Sequence, residues 1–467
     1  MLTPLRVQPL DTWVDPADAF ATLFGGPGGA DAVWLDSGPD AIAGSSFMGT
    51  GRVRMSASVA DGTVTIDGVT RPGEVLDALH ADLAARRGAV PVSTSVPIGW
   101  WGRIGYEAGA AQAGAPIAER RDGSPADASL LFVDRALAFD HAARTVTVVA
   151  PDDADGTAWI DAAVRALARA GGAADVYAAA HPVPSAAAHW RHDDEAYLAA
   201  IRACQDAIRA GDAYQLCLTN SATARSSADP LAVHLRLRRA SPAPFGGFVR
   251  IGGETLVSSS PEEFLRVHPD GRVRTRPIKG TRPRGATVAA DLELRGELEA
   301  SEKERAENVM IVDLMRNDLG RVCQVGSVAV SHLLAVESYA QVHQLVSTVE
   351  GRLRPGLGAV DAVAACFPAG SMTGAPKLSA MRILHRLEEG PRGAFAGCFG
   401  FFGVDGDAHL AMVIRSIHLA GGGVAIGAGG GITALSVPEE ELAEVQVKAA
   451  ALLAAAGLTA ERTPSAN

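Results

Sequence analysis

The spacing of hydrophobic and polar residues divides the chain into a β-rich first part and a mixed second part. Short apolar runs broken by Gly, Asp and Thr fill the first 150 residues, where 33–37 is predicted as a strand and turn. The aromatic and glycine-rich run 98–107 is typical of packed strands with bulges, and 130–149 predicts a hairpin that turns near His141. A helical period then follows over residues 158–170.

A nearly uncharged stretch rich in Gly, Ala, Pro and Ser separates the two parts. Such a composition is typical of a linker, because it offers few side chains that could be buried in a core. The predicted organisation is an N-terminal segment, a linker, a larger catalytic domain and a flexible tail, over residues 1–170, 171–192, 193–455 and 456–467.

In the second part, strand and helix periods occur in groups. Helices are predicted over residues 194–210, 229–239, 290–299, 301–318, 372–387 and 438–455. Strands are predicted over residues 214–219, 245–251, 255–259, 264–267, 273–277, 410–417 and 423–427. Because strands arrive in runs with helices grouped between them, the predicted fold class is α+β with a mixed sheet core.

Composition narrows the class of protein. The chain has 467 residues, of which 48% are hydrophobic and 20% charged, as in an ordinary globular enzyme. Its net charge of −11 argues against general affinity for nucleic acid or for an anionic membrane. Five scattered cysteines without a CxxC pair, and no apolar run of signal-peptide or membrane-spanning character, predict a cytoplasmic protein.

One proline- and glycine-rich stretch, residues 276–285, is predicted to be a shaped loop with Lys279 at its centre. A lysine held where water is scarce gives up its proton more readily and can then act as a nucleophile. The alternative is a surface loop that carries several solvated cations, and this stretch alone does not decide between the two.

Two predicted helices carry carboxylates at helical spacing. Glu304 and Glu307 share a face of one helix, and Glu441 and Glu444 share a face of another, with Lys448 one turn further along. Two such pairs could meet around one hard cation such as Mg²⁺, which prefers oxygen ligands. Each pair by itself fits a solvated helix face better than a metal site, since the helix dipole favours acidic residues near the N-terminus.

Three other features are candidates for substrate contacts. The glycine-rich run 427–432 is predicted to be a loop that offers backbone N–H groups to a carboxylate, although a plain tight turn has the same composition. Arg415, inside the apolar strand 411–417, needs an anionic partner. Glu262, just ahead of a strand, is a candidate general acid.

Taken together, these pieces resemble the chorismate-utilising enzymes. The resemblance is strong over residues 193–450 and looser over the N-terminal segment, where 35–37 and 99–107 match landmarks of that family. It rests on long motifs in a fixed order, namely 260–262, 277–285, 305–308, 313–320, 370–377, Arg415, and the glycine-rich run followed by Glu441, Glu444 and Lys448.

The resemblance implies a fold, a cofactor and a set of roles. The fold would be a two-lobed α/β architecture in which two large, roughly orthogonal antiparallel sheets are surrounded by helices. Glu307 and Glu444 would bind Mg²⁺, with Glu304 and Glu441 as neighbours, while Glu262 would be the general acid and Lys279 the nucleophile. The implied substrate contacts are Gln215, Gly280, Thr281, Thr373, Phe395, Arg415, Gly429, Gly430, Gly431 and Lys448.

Three positions favour one branch of the family, the aminodeoxychorismate synthases. Lys279 is alanine in typical anthranilate synthases, Gln215 stands where isochorismate synthases place a water-activating lysine, and Gln344 replaces a histidine associated with pyruvate elimination. The implied reaction, in p-aminobenzoate and folate biosynthesis, converts chorismate and ammonia to 4-amino-4-deoxychorismate. The alternative is anthranilate synthase component I, and the adjacent His343 weakens the argument from Gln344.

The resemblance also raises expectations about partners and regulation. No cysteine lies in a nucleophile-elbow context, so ammonia is expected from a separate glutamine amidotransferase subunit. Ser37, Pro244 and Phe245 fall near the tryptophan pocket of the family, which is vestigial in some members. Phe395 stands where relatives have a tyrosine, and Leu435 replaces a commonly acidic residue.

Overall fold

The computed structural model describes residues 4–26, 29–87, 96–119, 123–339 and 342–460. Two large sheets form its framework, one of 13 strands and one of 12. Every paired strand is antiparallel to its neighbour except one parallel pair at an edge, so the predicted two-sheet α+β architecture is confirmed. Within the described ranges, no helix is both long and apolar enough to cross a bilayer.

The strands are numbered along the chain. They are β1 (Leu5–Pro9), β2 (Ala32–Asp36), β3 (Ser45–Thr50), β4 (Val53–Ser58), β5 (Thr63–Ile66), β6 (Val69–Pro72), β7 (Gly99–Ile104), β8 (Ala128–Val133), β9 (Arg135–Asp140), β10 (Thr145–Pro151), β11 (Ala186–Trp190), β12 (Gln215–Arg225), β13 (Phe245–Ile251), β14 (Glu254–Ser260), β15 (Glu263–Val267), β16 (Arg272–Thr275), β17 (Ile278–Pro283), β18 (Ala329–Ser338), β19 (Val342–Arg352), β20 (Gly374–Ala375), β21 (Cys398–Gly403), β22 (Ala408–Met412), β23 (Ser416–Ala420), β24 (Gly423–Ile432) and β25 (Leu458–Ala460).

The helices lie between groups of strands. They are α1 (Pro16–Phe24), α2 (Val75–Arg86), α3 (Tyr106–Gln112), α4 (Ala154–Leu167), α5 (Ala173–Ala180), α6 (Asp194–Arg209), α7 (Pro230–Ala240), α8 (Val288–Ala300), α9 (Glu302–Gly320), α10 (Ala359–Cys366), α11 (Lys377–Glu388) and α12 (Pro438–Ala455), with a 3₁₀ turn at Gly370–Met372.

Both parts of the chain contribute strands to both sheets. The order in the first sheet is β1-β10-β9-β3-β2-β13-β14-β23-β24-β12-β11-β25, with β20 beside β12. The order in the second is β17-β19-β16-β15-β22-β21-β7-β8-β4-β5-β6, with β18 beside β19. The pairing of β2 with β13, and of β7 with β21, joins the N-terminal segment to the larger one.

Two hydrophobic cores hold the framework together. On β2, Val33 belongs to the core that contains both sheets' inner residues, whereas the next residue, Trp34, belongs to the core under the outer helices. Val249 and Phe248 on the neighbouring strand β13 divide in the same way. This is the alternation of faces that a strand imposes, so the first sheet is covered by apolar groups on both sides.

The predicted linker and tail are more regular than the sequence suggested. The stretch 171–192 contains α5 and β11, and residues 458–460 of the predicted tail form β25, which pairs with β11. In these two segments, strands that are far apart in the sequence pair and so satisfy each other's backbone hydrogen bonds. The Ala- and Gly-rich composition of the segments gave no indication of this pairing. Residues 461–467 of the predicted tail lie outside the described residues.

Two predicted loops are strands in the structure. Residues 278–283 within the proline-rich stretch form β17, and the glycine-rich run 427–432 is the end of β24, which pairs along its whole length with β12. A third difference lies at Tyr106 and Glu107, which were expected in a strand and instead begin α3. In each case pairing or packing with distant residues overrides the local composition.

Candidate active site

Helix α9 carries two of the predicted carboxylates into the space between the sheets. Its N-terminus is capped by Ser301, whose hydroxyl accepts a hydrogen bond from the backbone N–H of Glu304 (3.4 Å). Two turns later Ile311 and Met315 are buried in the core and fix the helix in place. The side chain of Glu307 is thereby held at 10% exposure on the inner face.

Helix α12 presents the second pair of carboxylates. Pro438 lies in its first turn, where a missing backbone N–H costs nothing. Glu441 is 4% exposed, and its Oε1 accepts a hydrogen bond from the Ser436 hydroxyl (2.7 Å). Glu444 is half exposed and pairs one turn along with Lys448 (2.6 Å). Burial would raise the pKa of Glu444, but Lys448 outweighs it and the pKa is lowered.

Lys279 enters the same space from β17. The next residue, Gly280, has φ +83°, and a Cβ there would lie 2.8 Å from the Leu298 side chain and 3.0 Å from that of Glu304. The Lys279 side chain is only 15% exposed, and its Nζ lies 3.7 Å from Glu307 Oε2. The structure therefore joins the predicted nucleophile to a predicted metal ligand.

The pKa of Lys279 differs from the expectation for a dry site. Burial lowers it, as predicted, but the nearby carboxylate of Glu307, with smaller contributions from Glu262 and Glu444, more than reverses that effect. The net result is a pKa above the ordinary lysine value, so Lys279 is a cation at rest. Any nucleophilic role requires a step that removes this proton first.

Around this point four carboxylates and three lysines share one electrostatic environment. Lys303 lies 3.3 Å from Glu441, and its pKa is raised because the negative charge of Glu441, Glu307 and Glu444 outweighs the effect of burial. Burial also raises the pKa of Glu307, with Glu304 adding to the rise and Lys279 opposing it. The predicted carboxylates are thus neighbours rather than independent solvated faces.

This donor set fits a hard divalent cation in its chemistry. All its ligands are carboxylate oxygens, which Mg²⁺ prefers. Several of these carboxylates are buried, and a buried negative charge is unfavourable unless a positive charge lies beside it. In the described part of the chain, however, no three metal-ligating side chains already converge on one point. Lysine ammonium groups pair with the carboxylates instead, at Glu307, Glu441 and Glu444.

Glu262 has the properties of a general acid. It is 7% exposed, and its Oε1 accepts a hydrogen bond from the Ser371 hydroxyl (2.9 Å). Burial raises its pKa to about 7, against the opposing effects of Ser371 and the Lys279 charge. A carboxyl group with that pKa is partly protonated near neutral pH and can donate its proton.

Gly429, Gly430 and Gly431 of β24 lie beside these groups and form a surface without side chains, which is the floor of the site. Lys448 donates a hydrogen bond to the carbonyl oxygen of Gly429 (2.8 Å), and a Cβ at Gly430 would lie 3.0 Å from Glu441 Oε2. A Cβ at Gly431 would collide with the amide of Gln215 and lie 3.1 Å from Lys279 Nζ. Glycine is therefore required here by close approach of side chains rather than by loop geometry.

Gln215 places a polar side chain next to Gly431 of this floor. Its side chain is 1% exposed, and among the described residues its Oε1 has no hydrogen-bond partner. Buried polar atoms nearly always have a partner, so an unpartnered acceptor at the floor indicates where a ligand's hydroxyl or amine belongs.

Arg415 lies at the corner between β22 and β23, not inside a strand as predicted. Its φ of +51° is unusual for a residue with a side chain. Burial lowers the pKa of its guanidinium, opposed by Glu444, and within the described ranges that group has neither a hydrogen bond nor an ion pair. A partly buried, unpaired arginine suits an anionic ligand.

The remaining predicted substrate residues lie around the same space. Thr373 is fully buried, and its hydroxyl donates a hydrogen bond to the carbonyl oxygen of Ala369 (3.1 Å). Phe395 packs flat against Gly427, where a Cβ would collide with its ring. Thr281 is exposed on β17 and pairs with Gln344 of β19.

The structure separates Gln344 from its neighbour His343. His343 is buried, with Nε2 3.0 Å from Asp291 Oδ1 and Nδ1 2.8 Å from the Ser338 hydroxyl. Both ring nitrogens are therefore occupied outside the site. In this geometry His343 has partners at both ring nitrogens, and the role of Gln344 stays a prediction.

The predicted tryptophan-pocket residues also lie together, on the first sheet. Ser37 follows β2 and donates a hydrogen bond from its hydroxyl to the carbonyl oxygen of Ser45 (2.8 Å). Pro244 precedes β13 and Phe245 is its first residue, and the next residue, Gly246, pairs with Asp36. The structure thus places these residues on neighbouring strands, and a tryptophan pocket there stays a prediction.

Sequence reasoning did not single out several residues that support the site. Ser371 and Ser436 hold the carboxyl groups of Glu262 and Glu441, and Lys303 pairs with Glu441. The serines belong to a common residue type and gave no signal. Lys303 did carry one, because lysine is a rare residue in this chain.

Comparison with known proteins agrees with this geometry. A family model described as chorismate binding enzyme matches residues 32–454. The chain is 45% identical to the aminodeoxychorismate synthase of Streptomyces griseus over 97% of its own length, and spans 64% of that relative. It is 37% identical to anthranilate synthase component 1 of Streptomyces coelicolor, over 97% of this chain and 89% of that one.

A solved structure supports the same assignment. Anthranilate synthase component I from Streptococcus pneumoniae superimposes with a TM-score of 0.72 at 26% identity, over 91% of this chain and 92% of that one. The match covers both sheets, since strands of each are spread along nearly the whole chain. The family model, the relatives and the superposition give one conclusion, that the chain belongs to the family of chorismate-binding enzymes.

Proposed function

We propose that this chain aminates chorismate at C4, using ammonia, to give 4-amino-4-deoxychorismate and water. The observation that carries the proposal is a buried lysine, Lys279, set between the carboxylates of α9 and a carboxyl group, Glu262, whose pKa is about 7. Its higher identity to an aminodeoxychorismate synthase than to an anthranilate synthase supports the same reaction.

The site can bind a dianion through separate groups. Arg415 and the backbone of β24 near Gly430 suit the enolpyruvyl carboxylate, because the guanidinium is unpaired and the glycines leave space. Glu307 and Glu444, with Glu304 and Glu441 beside them, would hold Mg²⁺. When bound, that ion supplies positive charge that fixes and neutralises the ring carboxylate.

The chemistry then needs a nucleophile and an acid. Lys279 first loses its proton to solvent, and the resulting neutral amine attacks C2 of the ring while the double bonds shift and the C4–oxygen bond breaks. Glu262 gives its proton to the departing hydroxyl, which leaves as water. Ammonia adds at C4, the double bonds shift back, and the amine of Lys279 leaves C2.

The ammonia source is part of the proposal. We infer that a glutamine amidotransferase subunit delivers it, because none of the five cysteines has the exposure that a catalytic thiol requires. All five are free and buried, and burial raises the pKa of the thiol at Cys204 to about 12. Free thiols throughout also favour a cytoplasmic location.

Product identification from chorismate, ammonium and Mg²⁺ tests the proposal. The expected product is non-aromatic and has an added amino group, which chromatography with mass spectrometry identifies. Fluorescent, aromatic anthranilate as the main product would assign the chain to the alternative activity instead. Recovery of unchanged chorismate after tight binding would show a binding protein rather than an enzyme.

A further inference from the structure

Lysine is confined to a few places in this molecule. The chain has 42 Lys and Arg residues, of which four are lysines: Lys279, Lys303, Lys377 and Lys448. Three of the four ammonium groups lie within 4 Å of a carboxylate of the candidate active site. Lysine differs from arginine in carrying a compact ammonium charge on a flexible stem, so these positions place point charges rather than planar guanidinium groups beside the carboxylates.

Of the three lysines that pair with these carboxylates, Lys303 is the one to which the family resemblance assigns no role. Its Nζ lies 3.3 Å from Glu441 Oε1. Its charge also acts on Glu307 and Glu444. The side chain itself is 48% exposed, whereas that of Glu441 is 4% exposed.

An exposed Lys303 paired with a buried Glu441 suits an ammonium group that can move away from the carboxylate. Glu441 keeps its position without Lys303, because the Ser436 hydroxyl holds the same oxygen at 2.7 Å. A half-exposed ammonium group on a flexible stem returns to water at small cost, since exposed ion pairs contribute little stability. Arginine at 303 would instead form a planar, two-pronged pair with the carboxylate and hold it more firmly.

We propose that Lys303 is the exchangeable counter-ion of Glu441, which a divalent cation has to displace, and that Lys303 thereby sets the cation affinity of the site. The inference rests on the cation site of the proposed function. It predicts that the free protein binds the ion weakly, and that the carboxylates stay compensated for charge before the ion arrives.

Titration with Mn²⁺ in the absence of substrate tests the idea, with free Mn²⁺ measured by electron paramagnetic resonance. Mn²⁺ takes the same oxygen ligands as Mg²⁺. Lys303→Met should tighten binding at least about tenfold, because the competing charge is gone. Lys303→Arg should weaken binding or leave it unchanged. Arg202→Met is the matched control, since it removes one positive charge that pairs with Glu439 on the same helix at 3.5 Å.

A double substitution locates the effect. In a Glu441→Gln background, Lys303→Met should change Mn²⁺ affinity by less than about threefold, because the two residues act through one pair. Lys303→Gln repeats the test should the methionine variant fold poorly, which the far-ultraviolet circular dichroism spectrum would show. The same affinity in Lys303→Met, Lys303→Gln and wild type, or equal tightening in Arg202→Met, would overturn the proposal.

The outcome is independent of the reaction catalysed. Tighter Mn²⁺ binding by Lys303→Met in a protein that makes no aminated product would support Lys303 as counter-ion while removing the proposed function. Normal amination together with unchanged Mn²⁺ affinity in both lysine variants would support the proposed function and remove Lys303 as counter-ion.

Discussion

Arg392 and Glu388 form a doubly hydrogen-bonded ion pair that is buried between the two sheets. Nε and Nη2 of the arginine lie 2.8 and 2.7 Å from the two carboxylate oxygens, and both side chains are at most 4% exposed. The same guanidinium donates hydrogen bonds to the carbonyl oxygens of Met372 and Cys217. It therefore ties the segment before Thr373 to the first sheet.

Removing one partner of this pair should be costly. Arg392→Met leaves the Glu388 carboxylate buried without its counter-charge, so we expect a loss of about 3–5 kcal/mol in the free energy of unfolding. Urea unfolding followed by fluorescence measures it. Arg202→Met, which breaks an exposed pair with Glu439, is the control and should leave the midpoint nearly unchanged. A wild-type midpoint for Arg392→Met would contradict this view of the pair.

Substitution of Glu262 should raise the stability of the protein and lower its activity. The pKa of Glu262 is about 7 in the folded protein and near 4.5 in the unfolded chain, so the native state binds the proton more tightly. Stability from this group is complete below pH 4.5 and is lost as pH rises through 7, by about 3 kcal/mol. Glu262→Gln should therefore raise the thermal midpoint at pH 8 while reducing amination at least about 100-fold.

Unfolding measured at several pH values distinguishes the loss of the Glu262 charge from a pH-independent effect of the substitution on stability. At a pH about one unit below 4.5, Glu262→Gln and wild type should unfold at similar temperatures, since the carboxyl group is then mostly neutral in both the folded and the unfolded state. Glu107, whose pKa burial also raises to about 7, keeps part of the pH dependence in the variant. An unchanged pH dependence of stability in Glu262→Gln would show that its carboxyl group is not protonated near neutrality.

The proposed cation ligands predict a second activity loss, of a different kind. Glu307→Gln and Glu444→Gln each remove one carboxylate charge and should abolish amination without unfolding the chain, although loss of the Glu444–Lys448 pair should lower the unfolding midpoint slightly. Burial of the Glu307 charge is unfavourable in the free protein, so this variant should even be slightly more stable. Calorimetric titration with Mg²⁺ should show lost binding in both variants, and full wild-type turnover in EDTA would refute the cation requirement.

Partner dependence predicts a simple difference between nitrogen sources. The purified chain should aminate chorismate with ammonium salts and should not use glutamine, because its five cysteines are all buried. Product formation from each source, measured by mass spectrometry, is the test. Turnover with glutamine by the chain alone would show that it carries an amidotransferase activity of its own.

How far the sequence predicted the structure depends on whether an element relies on its own residues. Helices α6 and α12 were predicted within one residue of their ends, because each has an N-terminal signal and a clear apolar face. The hairpin of β9 and β10 was likewise predicted from its alternation and turn. By contrast, β24 was predicted as a loop beyond Gly427, since its glycines carry no apolar pattern and its pairing partner lies over 200 residues away in the sequence.

The candidate site shows the same division. Sequence reasoning singled out Lys279 and Glu262 as candidates from their local context, whereas carboxylate spacing alone favoured solvated helix faces and only the resemblance of motifs named Glu307 and Glu444 as metal ligands. Arg392 gave no sequence signal, because its role depends on carbonyl oxygens that only the folded chain brings together. The raised pKa of Lys279 was also beyond sequence reasoning, since it results from carboxylates on two separate helices outweighing burial.

Lys279 offers the sharpest test of the mechanism, because a nucleophile forms a covalent bond and a charge clamp does not. With chorismate and Mg²⁺ but no ammonia, the reaction should stop after attack and leave the substrate skeleton, less water, on the protein. Intact-mass spectrometry should show this adduct, and peptide mapping should place it within residues 273–282.

Two substitutions distinguish nucleophilic attack from charge placement. Lys279→Arg keeps the positive charge beside Glu307 but cannot lose its proton, so it should form no adduct and no aminated product. Lys279→Ala should lose the adduct while keeping some turnover through direct attack of ammonia at C2, with poor elimination afterwards because Gln344 replaces the histidine. Amination by Lys279→Arg at the wild-type rate, with no adduct in wild type, would make Lys279 an electrostatic clamp. The assignment to the aminodeoxychorismate branch would then depend on Gln215 and Gln344.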